Sequence, residues 1–105
     1  MAQFDVYQNP SQKTRHAFPY LLDIQNPAIS DIATRIVIPL GRLQSFKNTS
    51  MNKLTPEIEC NEEKLLLLTP QIASIPFKVL RSPIGSLEHF RDEIIVAIDF
   101  AITGI

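Results

Sequence analysis

One cysteine, no tryptophan, three glycines and two histidines are all that these 105 residues offer to several common chemistries. Each scarcity excludes something. Cys60 stands alone and can form no internal disulfide, so packing or a partner subunit must hold a small core together. Gly41, Gly85 and Gly104 are isolated and make no Gly-rich phosphate cradle. One Cys with the distant His16 and His89 gives no metal-ligand spacing. Neither histidine sits in a pattern with a nucleophile and an orienting acid. His16 reads as part of a polar loop and His89 as part of the first turn of a helix. No metal, no cofactor and no catalytic residue is therefore expected.

Long apolar runs are lacking too. Leu65 to Leu68 and Ile94 to Ile98 are the longest, both far short of the roughly 20 residues of a membrane helix. The opening Met1-Ala2-Gln3-Phe4-Asp5 has no basic segment leading into an apolar stretch. The expectation is a cytoplasmic protein, one domain over residues 1–105, without membrane contact. Nor does one sign of charge dominate: ten basic residues face eleven acidic ones, a formal net charge of −1. That argues against nucleic acid as a direct partner, and the acid-free stretch holding Arg35, Arg42, Lys47 and Lys53 lacks the interleaved aromatics of single-strand binders. The charges are unevenly spread, however. Residues 1–56 sum to +3 and residues 57–105 to −4, an asymmetry suited to a partner of mixed charge.

What the chain does contain is eight prolines set among short apolar runs, the grammar of strands and turns. Phe4 to Tyr7 reads as a first strand, Tyr20 to Gln25 as a second, and the β-branched Arg35-Ile36-Val37-Ile38-Pro39-Leu40 as a third, buried on both faces or ending at Pro39. Asn26 to Thr34 is an irregular connection, and Gln44 to Lys53 a long loop. Thr55 to Cys60 and Lys64 to Thr69 pair as a hairpin across Asn61-Glu62-Glu63. Ile72 to Pro76 leads into a further short strand, Phe77 to Leu80. Cys60, at a strand end, reads as a small buried hydrophobe.

After Gly85 the period changes. Ser86 is placed to cap a helix, and Glu88, Asp92 and Glu93 supply negative charge to its first turns. Leu87, Phe90, Ile94, Ile98, Ala101 and Ile102 recur every three or four residues as one stripe for packing on the sheet. Ile95, Val96 and Phe100 widen the apolar arc, as a broad core face or a second contact surface. The last residues run Asp99-Phe100-Ala101-Ile102-Thr103-Gly104-Ile105, apolar where chain ends are usually polar. Asp99 lies near the negative end of the helix dipole. Gly104 can take the left-handed conformation that stops a helix and turns Ile105 aside. Such an end is either tucked into its own core or is a recognition tip.

Taken together, Gln3-Phe4-Asp5-Val6-Tyr7, Asp23-Ile24-Gln25, Arg35-Ile36-Val37-Ile38-Pro39-Leu40, Ile72-Ala73-Ser74-Ile75-Pro76 and the closing Gly104-Ile105 resemble the CcdB toxins of bacterial toxin-antitoxin modules, in the same order and nearly the same spacing. The resemblance implies a mainly β fold, an antiparallel SH3-like barrel or sheet of the CcdB/MazF type with one long C-terminal helix. It implies a homodimer with no enzyme activity, whose helix end enters the gyrase A subunit and traps the complex with cleaved DNA. It also implies a CcdA-type antitoxin that neutralises the toxin and co-represses the operon with it, so that operator DNA is met only as the toxin-antitoxin complex.

Position by position, the resemblance assigns gyrase binding to Ala28 and Ile29 in the irregular connection, Asp99 on the helix, and Thr103, Gly104 and Ile105 at the tip. Thr103 stands where the best-known member carries Trp, Asp99 where it carries Asn, and Ala28 where it carries a larger Ile. An aromatic anchor is lost, while Asp99 gains a carboxylate able to pair with an Arg on the target. The loops Gln8 to Arg15 and Gly41 to Asn52 are candidates for antitoxin contact. Two alternatives stay open on the sequence. One is a MazF-like ribonuclease toxin on the same fold, drawing on Arg15, Arg35 or His16; the other is an inactive dimeric relative.

Overall fold

A computed structural model describes residues 2–28, 32–46 and 55–104. The short β-branched and Leu-rich runs form strands β1 (Asp5–Gln8), β2 (Tyr20–Asp23), β3 (Thr34–Arg42), β4 (Glu57–Cys60), β5 (Glu63–Leu67), β6 (Ala73–Pro76) and β7 (Gly85–Ser86), and the helical period forms α1 (Arg91–Thr103). The strands make one curled antiparallel sheet in the order β4-β5-β3-β2-β1-β7, with β6 paired to β3. Strand β3 is its spine. Along one edge β3 pairs through Thr34–Val37 with β6 and through Leu40–Arg42 with β5, while β2 runs along the other edge.

Pro39 does not end this strand, as one sequence reading allowed. It falls between the β6 and β5 pairings, where no ladder donor is required of it, and its carbonyl accepts from the Leu68 N–H at 3.0 Å. Two residues on, Gly41 leaves room for a crossing side chain: a Cβ there would meet Leu68 Cδ1 at 2.7 Å and the Phe46 ring at 2.8 Å.

Alternation along the strands sorts side chains onto two faces. On one, Val6, Leu22, Ile38 and Leu40 pack with Leu87, Ile94 and Ala97 to form the main core under α1. On the other, Tyr7, Leu21, Val37 and Leu80 form a smaller cluster. Beside that cluster lies a buried ion pair. Arg35 Nε donates to Asp23 Oδ2 at 2.9 Å and Nη2 lies 2.7 Å from the same oxygen, with the two side chains only 5% and 0% exposed. Asp23 Oδ1 accepts from the Gln25 N–H at 3.0 Å, so both carboxylate oxygens are engaged.

Several boundaries differ from the sequence expectation. The second strand stops at Asp23, because Asp23 and Gln25 turn to each other and Gln25 Oε1 takes the Ile36 N–H. The β4–β5 hairpin is tighter than expected: Cys60 pairs with Glu63 across Asn61-Glu62 alone, both at positive φ. Phe77–Val79 is a 3-10 turn and not a strand, since pairing with β3 ends at Pro76 and Leu80 must turn inward to the second face. Ser86 does not cap α1. It pairs with Asp5 in β7, its Oγ accepts from the Glu88 N–H at 3.3 Å, and a 3-10 turn over Glu88–Phe90 intervenes before the helix begins. The Leu87 N–H, donated to the Phe4 carbonyl at 2.8 Å, holds the chain to the sheet there and delays the helix. A 3-10 turn at Leu43–Ser45 opens the long loop, most of which lies outside the described residues.

Candidate functional site: the end of helix α1

The thirteen residues of α1 divide into an anchored half and a free one. Ile94 and Ala97 are buried against the sheet, and Ile95, Ile98 and Phe100 are half-buried. From Ala101 to Gly104 every residue is exposed, Ile102 to 68%. The expected stripe therefore ends at Ile98. Ala101 and Ile102 keep its spacing but have run past the sheet, so they are not core. Val96, 52% exposed, continues the apolar surface onto the outer side of the helix, which is the second-surface alternative for that residue. Solvent-exposed Ile and Val on a helix this short are unfavourable for an isolated chain and favourable for one that buries them in a partner.

The helix closes as Gly104 allows. With φ at +76° it takes the left-handed conformation, and its N–H donates to the Phe100 carbonyl at 3.0 Å. Thr103 Oγ1 donates to the Asp99 carbonyl at 2.6 Å, so the hydroxyl is tied to its own helix and leaves the methyl outward of that bond. Asp99 is exposed, and no basic residue occupies the last turn to offset the negative end of the dipole. The surface presented is an apolar end flanked by an uncompensated carboxylate.

Of the six residues that the resemblance assigns, Asp99, Thr103 and Gly104 are thus brought together on the last turn. Ala28 is exposed in a turn held by its own N–H, which donates to Asn26 Oδ1 at 2.9 Å. Among the described residues no hydrogen bond or ion pair joins it to the helix end. Ile29 and Ile105 lie outside the described residues. Val96 is one of the residues for which the sequence left a second contact surface open, whereas Ile102, expected on the core stripe, is an addition that sequence reasoning missed, because helical spacing says which residues share a face and not where the sheet beneath that face ends.

The side chains a ribonuclease would need are differently disposed. Arg35 is buried in its pair with Asp23. Arg15 Nε donates to the Asn9 carbonyl at 2.8 Å, and His16 is exposed with its carbonyl receiving Arg42 Nη1 at 2.7 Å. The two groups whose acidity is displaced lie away from the helix end. Burial pushes the Tyr7 hydroxyl above its ordinary value, with Asp5 and Asp23 adding to the effect and Arg35 opposing it. Burial, then Glu63, pushes the Cys60 thiol up, as befits the small buried hydrophobe expected there.

A comparison with protein families matches residues 3–104 to the model of the CcdB protein. The chain belongs to the CcdB family. Its curled antiparallel sheet with a helix packed on one face agrees with that membership, and the membership makes it a toxin of the toxin-antitoxin kind. No helix among the described residues is long and apolar enough to cross a membrane.

Proposed function

We propose that this CcdB-family chain is a cytoplasmic, homodimeric gyrase poison that acts as an inhibitor and not as an enzyme. In this reading the end of α1 inserts into the gyrase A subunit, with Ala28, Ile29, Asp99, Thr103, Gly104 and Ile105 as contacts, and holds gyrase on cleaved DNA so that double-strand breaks persist. A CcdA-type antitoxin removes it and represses the operon jointly with it. The observation that carries the reading is the apolar last turn of α1 standing clear of the core, with Ile102 68% exposed. Burial of such a side chain in a partner is worth roughly 1.5–3 kcal/mol. Asp99 adds a carboxylate that an Arg of the target can meet.

The decisive experiment removes Gly104 and Ile105. Toxicity and binding to the gyrase A subunit should be lost while the melting temperature and the mass of the dimer hold, because every core residue among the described ones is kept. A folded truncation that still kills cells or still traps gyrase on DNA overturns the proposal.

A further inference from the structure

The loop that follows β1 and the segment that leads back to β7 meet in a hollow of about 180 Å³, lined by Gln8, Pro10, Gln12, Arg15, Val79 and Arg81. Folding assembles it from distant parts of the sequence. The Ile84 N–H donates to the Val6 carbonyl at 2.8 Å and lays the second segment beside β1. Leu80 is buried in the smaller cluster, which leaves its neighbours Val79 and Arg81 exposed.

Arg15 is positioned in this hollow by the protein itself. Its Nε donates to the Asn9 carbonyl at 2.8 Å, and its backbone N–H donates to the Ser11 carbonyl at 3.0 Å. Asn9, only 5% exposed, is fixed in turn: Nδ2 donates to Thr14 Oγ1 at 2.9 Å and to the Phe18 carbonyl at 2.8 Å, and Oδ1 accepts from the Ser11 N–H at 3.0 Å. The two terminal nitrogens of the Arg15 fork remain open. Among the described residues they, the Arg81 guanidinium and the carboxamides of Gln8 and Gln12 have neither a hydrogen-bond nor an ion-pair partner. The segments that form the hollow are also free of acid: Gln8 to Leu22 carries Lys13 and Arg15, and Thr69 to Leu87 carries Lys78 and Arg81. A concave site walled by one sign of charge focuses its field on what enters it.

We propose that this hollow binds a phosphate group of a small molecule, either the free ion or a monoester, with the forks of Arg15 and Arg81 on its oxygens and the carboxamides of Gln8 and Gln12 as further donors. Charge and donor count select it. A phosphate group carries about −1.5 to −2 at pH 7 on three acceptor oxygens, a match for two guanidiniums, which bind planar pairs of oxygens in bidentate fashion. A carboxylate brings one charge and two oxygens and leaves one of the two cations uncompensated. Size selects against a polypeptide, because the hollow falls well below the roughly 300–1,000 Å³ of ordinary ligand sites and holds one charged group. No residue of α1 lines it, so the site does not rest on the gyrase reading of the helix end.

The test titrates the full chain with inorganic phosphate, adenosine 5′-monophosphate and acetate, at one pH and constant ionic strength. The signals followed by NMR are the Nε–H groups of Arg15 and Arg81 and the side-chain amides of Gln8 and Gln12. Phosphate should shift all four sets and saturate in the millimolar range, with acetate at least tenfold weaker. Arg81→Gln should weaken phosphate binding at least tenfold, and Arg81→Lys, which keeps the charge and loses the fork, by less. Arg81 is exposed and without a partner among the described residues, so these variants keep the fold, and exposed Gln12→Ala gives a second, smaller loss. Both phosphate arms support the site and separate its ligands: tighter binding of the nucleotide identifies a monoester, and equal or weaker binding identifies the free ion. Any of four results overturns the proposal: no saturation by either phosphate at millimolar concentration, acetate binding as tightly as phosphate, unchanged affinity in Arg81→Gln, or shifts confined to residues outside the hollow.

Discussion

Tyr7 is fully buried in the smaller cluster, and its hydroxyl finds no hydrogen-bond partner among the described residues. A buried hydroxyl without a partner costs about 1–3 kcal/mol, so Tyr7→Phe should stabilise the protein by about 1 kcal/mol, read as a higher denaturant midpoint. The same group sets an alkaline limit. Its folded-state pKa lies above the ordinary 10.0, so as pH climbs past that value the unfolded chain gives up its proton first. The stabilisation is whole below the unfolded pKa and is lost as pH rises through the folded one. Cys60, raised from 9.0, acts with the same sign from a lower pH. Melting temperatures measured between about pH 8 and 11 should therefore fall, and the fall above pH 10 should be shallower in Tyr7→Phe. A steeper fall in the variant would show that the hydroxyl is not the group responsible.

At the scale of elements, the β4–β5 hairpin turns on two residues at positive φ, Asn61 at 52° and Glu62 at 64°. That is the geometry of a type I′ turn, in which Asn is well suited to the first position and Gly to the second. Glu62 bears the steric cost of its Cβ, so Glu62→Gly should raise stability by about 1 kcal/mol, the left-handed penalty less the chain entropy that Gly adds. Chemical denaturation compares the two proteins directly, and a lower midpoint for the variant would reject the turn assignment. The hairpin also marks where sequence reasoning succeeds and where it stops. Alternation over Glu57 to Cys60 and the Leu65 to Leu68 run point to the two strands, yet Glu63 reads as part of the turn, because nothing in Asn61-Glu62-Glu63 says which two residues will take positive φ. The helix was legible for the same reason as the strands. Its start was not, since the Leu87 bond to Phe4 that delays it joins residues far apart in sequence. The Asp23–Arg35 pair was likewise hidden: each charge reads as surface until β2 and β3 set them side by side. Of the candidate site, the left-handed Gly104 could be read in advance, whereas the exposure of Ile102 depends on where the sheet ends.

For the molecule as a whole, the proposed homodimer makes a mass-action prediction. If folding and pairing are linked, each tenfold rise in protein concentration adds about 1.4 kcal/mol of stability. The melting temperature should then climb by a few degrees between micromolar and tens of micromolar protein, and a value independent of concentration would mean that the folded unit is the monomer. The charge asymmetry also takes on spatial content at this scale. Arg15 and Arg81 line one hollow with Pro10 and Val79, and the segments that carry them, Gln8 to Leu22 and Thr69 to Leu87, hold no acid, so this basic surface is assembled by folding from both halves and is not simply the +3 half of the chain.

The division of α1 into an anchored and a free half has an evolutionary consequence. Ile94 and Ala97 fix the helix to the sheet, while Ala101 to Thr103 touch solvent, where most substitutions shift stability by no more than about 0.5 kcal/mol. Selection can therefore exchange one last-turn side chain, Thr103 among them, for another at almost no expense to folding. Under the proposed function, the end of the helix is free to follow changes in its target while the sheet beneath stays as it is.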